Sequence, residues 1–147
     1  MLPGVWCIRA SSGSYWTSGS RKNPTVTVSI TERSPLELLE VYEYHRADKG
    51  DREFEAQAVW RGSHFVWVNG SDPESNEVFV VSDTPATPDV VALHHAVSPE
   101  SPPWVSIWAR PGMKPDDVRA LVSRDTYSFE LSADEFWQLT WLTADDS

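Results

Sequence analysis

The sequence contains a single cysteine, Cys7, among its 147 residues. One thiol cannot form an intramolecular disulfide or a cysteine-rich metal site, and this suits a reducing compartment. Long apolar runs are also missing, because none approaches the roughly 20 residues that a membrane span needs. The first residues show no basic segment followed by an apolar run of the kind that directs export. We therefore expect a cytoplasmic protein without a membrane span.

Basic residues are few, with 12 Lys and Arg against 22 Asp and Glu, which gives a net charge of -10. Such a surface repels phosphate backbones, so we expect no nucleic-acid partner. No glycine-rich phosphate loop is present, and the two adjacent histidines, His94 and His95, must point to opposite faces of a strand. The sequence therefore predicts no metal site and no dissociable cofactor. Without a repeat or a linker, residues 1–147 are expected to form one domain.

Tryptophan is abundant, with eight residues at positions 6, 16, 60, 67, 104, 108, 137 and 141. This is more indole surface than a core of this size needs. Flat aromatic side chains are suited to holding an apolar molecule between them. The composition therefore favours a binding site for a small hydrophobic ligand.

Eight runs rich in β-branched and aromatic residues follow one another, at 5–10, 25–32, 36–46, 52–61, 64–69, 77–82, 89–96 and 104–110. The joints between them are short enough to connect antiparallel neighbours. Eight such strands can remove their edges by closing into a barrel, whose lumen holds side chains or one small ligand. The sequence thus predicts an all-β fold, an eight-stranded antiparallel up-and-down barrel, with a two-sheet sandwich as the alternative.

The pattern changes after the eighth strand. Pro115 suits the first position of a helix, and Val118, Leu121 and Val122 form an apolar stripe at helical spacing. Residues 136–142 are interpreted as a short final strand, because they are aromatic and β-branched, or as a second short helix capped by Ser132. We favour the strand, which leaves one C-terminal helix.

Three short motifs resemble those of the lipocalins, within the calycin group of barrels, and the match extends over nearly the whole chain. Gly4-Val5-Trp6 resembles the G-x-W element, Asp83 stands where the T-D-Y element has its acid, and Trp108-Ala109-Arg110-Pro111 resembles the S-R-T-P segment. The lack of a disulfide suits an intracellular or bacterial-type member. The resemblance implies structural roles for Gly4, Trp6 and Arg110, with a cation–π contact between the last two. It also implies a small hydrophobic ligand, or an enzyme such as an isomerase or cyclase.

Two hairpins predict which side chains face the lumen. A two-residue turn at Gly62 pairs Trp60 with Phe65, and Ala58 with Trp67. Alternation then places one set inward: Phe54, Ala56, Ala58, Trp60, Phe65 and Trp67. On the first, second and eighth strands the inward candidates are Trp6, Ile8, Ala10, Val26, Val28, Ile30, Trp104, Ser106 and Trp108. Tyr15 and Trp16 follow the first strand, where the lipocalin pattern places a lid.

The hairpin before it leaves two alternatives open. A three-residue loop ending at Gly50 pairs Tyr44 with Phe54 and brings Glu40, Tyr42 and Tyr44 inward. A two-residue loop moves every side chain of the strand at 36–46 to the opposite face, so that Glu43 and His45 face inward instead. In either register one glutamate lies among apolar neighbours, where desolvation raises the pKa of a carboxyl group toward neutrality.

These residues support two functions. The first is binding of a small, largely hydrophobic, unsaturated or aromatic molecule. Its expected contacts are Trp16, Phe54, Trp60, Phe65, Trp67, Trp104, Ser106 and Trp108. The second is a cofactor-independent biosynthetic enzyme, a cyclase or isomerase of a polyene or polyketide-like substrate. Its candidate catalytic groups are Glu40, Tyr42 and Tyr44, or Glu43 and His45 in the other register. A barrel filled by its own side chains that binds another protein is a third hypothesis.

Overall fold

The computed structural model describes residues 2–17, 21–33, 36–46, 48–62, 64–68, 77–81, 88–96 and 104–142. The strands are β1 (Gly4–Ser11), β2 (Arg21–Arg33), β3 (Leu36–Arg46), β4 (Gly50–Trp60), β5 (Phe65–Val68), β6 (Glu77–Val81), β7 (Val90–Ala96), β8 (Trp104–Ala109) and β9 (Thr140–Trp141). The helices are α1 (Ser14–Thr17), α2 (Pro115–Arg124) and α3 (Ala133–Gln138). All eight predicted strands are present. No helix in the described part of the chain is long and apolar enough to cross a membrane.

The sheet closes on itself. Each strand from β2 to β8 pairs antiparallel with the next, and β1 pairs with both β8 and β2. Closure thus pairs each of these eight strands on both of its edges. The backbone hydrogen-bonding groups of eight consecutive strands find partners within one sheet. The up-and-down barrel predicted from the sequence is therefore confirmed, and the sandwich alternative is wrong.

Two apolar cores lie on opposite faces of the barrel wall. The inner core lies on the lumen side of the wall and includes Trp6, Val26, Tyr42, Leu93 and Trp108. The outer core lies between β1, β7 and β8 and the C-terminal segment, with these members: Ala10, Val90, Ala92, Val105, Ile107, Ala109, Val118, Val122, Phe129, Leu131 and Leu139. The strands shared by both cores are apolar on both faces, so their sequences do not alternate.

Ala10 was expected to face the lumen, and this prediction is wrong. The pairing of β1 with β8 shifts between Ile8 and Ala10, which marks a bulge at that point. A bulge adds one residue to the strand and turns the following side chains to the other face. Ala10 therefore belongs to the outer core, while Trp6 and Ile8 face inward as predicted.

The hairpin from β4 to β5 has the predicted register, with Trp60 opposite Phe65 and Ala58 opposite Trp67. Gly62 has a φ of +93°, as the predicted glycine-first turn requires. The two strands therefore share the inner face in the way that alternation predicts.

The register of β3 against β4 differs from the prediction by two residues. Tyr42, rather than Tyr44, lies opposite Phe54, and Arg46 lies opposite Gly50. The amide of Lys49 donates to the carbonyl of Arg46 at 3.2 Å, so the turn closes one residue before Gly50, which begins β4 with a φ of +77°. A shift of two residues preserves the inner face, so Glu40, Tyr42 and Tyr44 still point inward.

The segment predicted as a final strand is mostly helical. Ser132 accepts a hydrogen bond from the amide of Glu135 at 3.1 Å, and the carboxylate of Glu135 accepts from the amide of Ser132 at 2.9 Å. This capping box outweighs the strand propensity of Phe136 and Trp137, and only Thr140–Trp141 forms a strand. The structure therefore has α3 as well as the predicted helix α2 and the short strand β9.

One end of the barrel is closed by Arg110. Its guanidinium carbon lies 3.7 Å from the ring centroid of Trp6, and its nitrogens donate to the carbonyls of Val5 and Pro3 at 3.1 Å. Gly4 has a φ of +117°, and a Cβ atom there would lie 2.7 Å from Nη1 of Arg110. The contact between Arg110 and Trp6 that the resemblance implied is therefore present, and Gly4 leaves room for it.

Candidate functional site

The open end of the barrel, here called the mouth, is the end where β3 turns into β4. Four aromatic side chains meet there, and they are called the mouth cluster: Trp16, Tyr42, Tyr44 and Phe54. Tyr42 and Phe54 stack with centroids 4.7 Å apart, and Trp16 lies parallel to both at 6.1 and 6.2 Å. Tyr44 meets the indole edge-on at 5.6 Å. Trp16 is only 5% exposed, so its ring is inserted between the barrel walls.

The segment after β1 carries Trp16 into the mouth and is fixed to β8. The amide of Ser12 donates to the carbonyl of Val105 at 2.9 Å, and the amide of Val105 donates to the hydroxyl of Ser12 at 2.8 Å. A Cβ atom on Gly13 would lie 3.0 Å from the ring of Trp104, so a glycine allows this close approach. The lid position expected for Trp16 thus follows from local hydrogen bonds and one residue without a side chain.

A carboxyl group lies below the mouth cluster. Glu40 is 1% exposed, and the hydroxyl of Tyr42 donates to its Oε1 at 2.7 Å. Glu43 and His45, the candidates of the other register, are exposed on the outer face, where His45 contacts Asp51 at 2.9 Å. Of the two sets of candidate catalytic residues, only Glu40, Tyr42 and Tyr44 therefore face the lumen.

The opposite wall carries a second polar pair. Nε2 of His95 and the hydroxyl of Ser106 lie 2.8 Å apart, and both residues are 2% exposed. The ring of Trp104 covers His95 in a parallel stack at 3.7 Å. Deeper in the lumen, Trp108 meets Tyr42 at 6.3 Å and Trp6 at 6.4 Å. The lumen thus combines an aromatic lining with a carboxyl group, a phenol, an imidazole and a hydroxyl.

Two predicted ligand contacts lie toward the closed end. Phe65 is buried in the inner core, whereas Trp60 is 38% exposed beside it, with centroids 5.0 Å apart. Trp60 stands at the last position of β4, next to the hairpin at Gly62, so it lies at the rim farthest from the mouth. Its predicted inward face agrees with its pairing to Phe65, and its role as a ligand contact stays a prediction.

A cavity of about 660 Å³ lies outside the lumen. Its walls are mainly outward-facing residues of β2, β3 and β4, with Tyr44 and Arg52 at the rim of the mouth; the others are Asn23, Thr25, Glu43, His45, Asp51 and Glu53. Its polar, solvent-facing walls suit an apolar ligand less well than the mouth cluster does. We therefore assign the candidate binding site to the lumen and its mouth.

Several predictions lie outside the described residues. These are the acid of the T-D-Y element at Asp83 and the side chains of Tyr15 and Trp67. Among the described residues, no group of three His, Cys, Asp or Glu side chains could hold a metal ion.

Sequence reasoning missed His95 and three arginines at the mouth. His95 had no assigned face because β7 is apolar on both sides, which hides the alternation. The alternation that places Tyr44 and Phe54 on the inner face also places Arg46 and Arg52 there. The sequence therefore contained the signal for these two arginines. Arg21 was hidden, because the pairing of β2 with β3 shifts between Lys22 and Thr25, where Asn23 has a φ of +52°.

The fold is similar to several solved structures at low sequence identity. The siderocalin Ex-FABP, which functions through dual ligand specificities, matches with a TM-score of 0.65 and 14% identity, over 99% of this chain and 95% of that chain. Lobster apocrustacyanin A1 matches with a TM-score of 0.70 and 12% identity, over 99% and 78%. H1 crustacyanin from the lobster Homarus americanus matches with a TM-score of 0.72 and 12% identity, over the same shares.

No protein-family model and no curated protein matches the sequence. Identities of this size show the fold alone, which is that of the lipocalin-like barrels. The intracellular or bacterial-type subgroup stays a prediction of the sequence.

Proposed function

We propose that this protein binds a small, largely hydrophobic molecule with an unsaturated or aromatic body in the lumen of its barrel. The observation that carries this proposal is the position of Trp16. Its flat ring lies roughly parallel to the stacked pair of Tyr42 and Phe54, 6.1 and 6.2 Å from their centroids, in the place that a planar ligand would take. Aromatic rings bind one another in offset stacks with centroids about 4.5–7 Å apart, so a conjugated ligand can replace the indole with similar contacts.

The test is a fluorescence titration with N-phenyl-1-naphthylamine, a neutral planar probe. We expect binding by the native protein and several-fold tighter binding by Trp16→Ala, because the probe no longer has to displace the indole. Trp137→Ala is the matched control, since Trp137 is 75% exposed on α3. It should leave the affinity unchanged.

Identical affinities for the native protein and Trp16→Ala would contradict a site at the mouth. The absence of binding by both proteins would contradict the proposed function itself. The natural ligand can then be sought by native mass spectrometry after exposure to an organic extract of the source. A bound mass with an unchanged extract identifies a carrier.

A second candidate function is supported by the contact between Tyr42 and Glu40. A buried carboxyl group hydrogen-bonded to a phenol can take a proton from one carbon of a bound polyene and return one to another carbon. Such a transfer rearranges double bonds or closes a ring without a change in oxidation state, so it needs no cofactor. The lumen would hold the substrate folded and exclude water.

This candidate is tested by a chromatogram of the extract before and after incubation with the protein. A consumed component and a new isomeric product would support an enzyme. Glu40→Gln should then abolish turnover while it retains binding of N-phenyl-1-naphthylamine. An unchanged rate would remove Glu40 from the mechanism.

A further inference from the structure

Three arginines lie side by side on the inner face at the mouth, and they are called the mouth arginines: Arg21, Arg46 and Arg52. Arg21 and Arg46 are directly opposite each other on β2 and β3. Arg52 is the partner of Tyr44 on β4, and Arg46 lies two residues beyond Tyr44 on the same strand face. The three side chains therefore surround Tyr44, on the side of the wall that faces the lumen.

The mouth arginines border the mouth cluster directly. The guanidinium carbon of Arg21 lies 5.7 Å from the ring centroid of Tyr44, whose ring contacts Trp16. The Nε atoms of Arg21 and Arg46 are inaccessible to solvent, so these two side chains do not extend freely into water. A ligand that replaced the indole of Trp16 would therefore have its outer end next to the guanidinium groups.

Charge is separated across the wall at this level of the barrel. The inner face carries the mouth arginines, while the outer face carries His45 and three carboxylates, Glu43, Asp51 and Glu53. In a chain with net charge -10 and only 12 basic residues, three arginines on one inward patch are a local reversal of the overall charge. Such a reversal favours an anion at the mouth and disfavours a cation.

Two cations directly opposite each other on one sheet face repel, and a bound anion relieves this repulsion. The structure shows that the patch accepts a carboxylate, because Nε of Arg46 lies 3.4 Å from Oδ1 of Asp48. The Arg46 side chain is 26% exposed and that of Asp48 63% exposed, so the carboxylate is open to solvent and a ligand can take its place. Guanidinium groups match the planar oxygens of carboxylates through two parallel hydrogen bonds.

We propose that the ligand is an amphipathic organic anion, whose apolar body enters the lumen and whose carboxylate or similar acidic head group binds the mouth arginines. This inference rests on the proposed function, since it names the class of ligand for the same site. It adds a head-group subsite at the rim of the barrel, with the exposed Arg52 as its most accessible member.

The test compares two probes that share an aryl frame. N-phenyl-1-naphthylamine is neutral, and 1-anilinonaphthalene-8-sulfonate carries one sulfonate. Hydrogen bonds to charged groups predict that the native protein binds the anionic probe about ten- to a hundredfold more tightly than the neutral one. Arg46→Gln and Arg52→Gln should each weaken binding of the anionic probe by about tenfold and change binding of the neutral probe by less than about twofold.

Arg61→Gln is the matched control, because Arg61 is an exposed arginine at the far end of the barrel and should leave both affinities unchanged. Equal affinities of the native protein for the two probes would overturn the head-group subsite while leaving the proposed binding in the lumen in place. Anionic binding that neither Arg46→Gln nor Arg52→Gln weakens would also overturn it. The absence of binding by either probe would instead contradict the proposed function.

Discussion

At the scale of single residues, the inner face of β3 carries a carboxyl group whose burial costs free energy. The Glu40 carboxyl is 1% exposed and accepts a hydrogen bond from Tyr42, whose ring is stacked on Phe54. A buried acid without such a partner is expensive, so the phenol stabilises the carboxyl group and positions it. Glu40 and Tyr42 together also provide the proton-transfer group that the second candidate function, an isomerase or cyclase, needs.

Tyr42→Phe tests the structural part of this contact. The variant keeps the stacked ring and removes one hydrogen bond to a buried acid, so we expect a loss of about 1–3 kcal/mol in the free energy of unfolding. Urea denaturation measures this loss. Tyr127→Phe is the control, because Tyr127 is 90% exposed and should show no change. Equal stability of the two variants would show that the Glu40 contact contributes nothing.

Gly4 is a second residue whose identity is set by its surroundings. Gly4→Ala places a side chain at a φ of +117° and pushes it against Arg110. We expect a loss of about 2–4 kcal/mol, from backbone strain and from the weakened contact between Arg110 and Trp6. Thermal or urea unfolding measures it.

Gly62→Ala separates the two causes. Gly62 has a φ of +93° with open space around it, so Gly62→Ala should lower the free energy of unfolding only through backbone strain. Losses of the same size at Gly4 and Gly62 would mean that the approach of Arg110 does not matter.

At the scale of elements, bulges and caps decide where strands and helices begin, turn and end. The bulge in β1 lets this strand face the lumen at Trp6 and Ile8 and the outer core at Ala10. The capping box of α3 turns a segment with strand propensity into a helix. The bulge and the capping box each involve only a few residues. They nevertheless override the structure that the surrounding sequence pattern predicts.

Ser132→Ala tests the second device. The variant removes the acceptor for the amide of Glu135, and we expect a loss of about 0.5–2 kcal/mol in the free energy of unfolding. Ser123→Ala is the control, because its hydroxyl donates to the carbonyl of Ala120 on an exposed face of α2 and caps nothing. If the two variants unfold at the same urea concentration, the capping box is not a significant contributor.

At the scale of the whole molecule, a closed barrel carries strong negative charge outside and a small cationic patch at its mouth. Like charges lie directly opposite each other on the outer face at Glu43 and Glu53. This arrangement is destabilising, and salt screens it because both side chains are exposed. The cytoplasmic location stays a prediction of the sequence.

We expect the melting temperature to rise as sodium chloride increases from about 0.01 M to about 0.15 M, since the Debye length falls from about 30 Å to about 8 Å. Calorimetry at the two salt concentrations measures this effect. Glu53→Lys, which replaces a repulsive pair with an attractive one, should be more stable at low salt and respond less to added salt. A melting temperature that falls with salt would contradict this account of the surface.

The sequence by itself determined the number and order of the eight strands, the start of α2 at Pro115, and the inner face of β4, while it left the face of β3 open between Glu40 and Glu43. These features follow from local periodicity and turn chemistry, which act over a few residues. The predicted three-residue loop placed Glu40, Tyr42 and Phe54 on one inner face, and its register error of two residues preserves that face, whereas Trp16 was predicted from the lipocalin resemblance.

Only the tertiary structure decided which of these residues touch. The pairing of Tyr42 with Phe54, the bulge that turns Ala10 outward, and the packing of Trp16 against the stacked rings of Tyr42 and Phe54 depend on closure of the whole barrel. So does the meeting of Arg21 with Arg46, residues that lie far apart in the chain and are brought together by the shifted register of β2. Alternation fixes the side of a sheet, whereas contacts across strands are fixed by bulges and by the closed ring of hydrogen bonds.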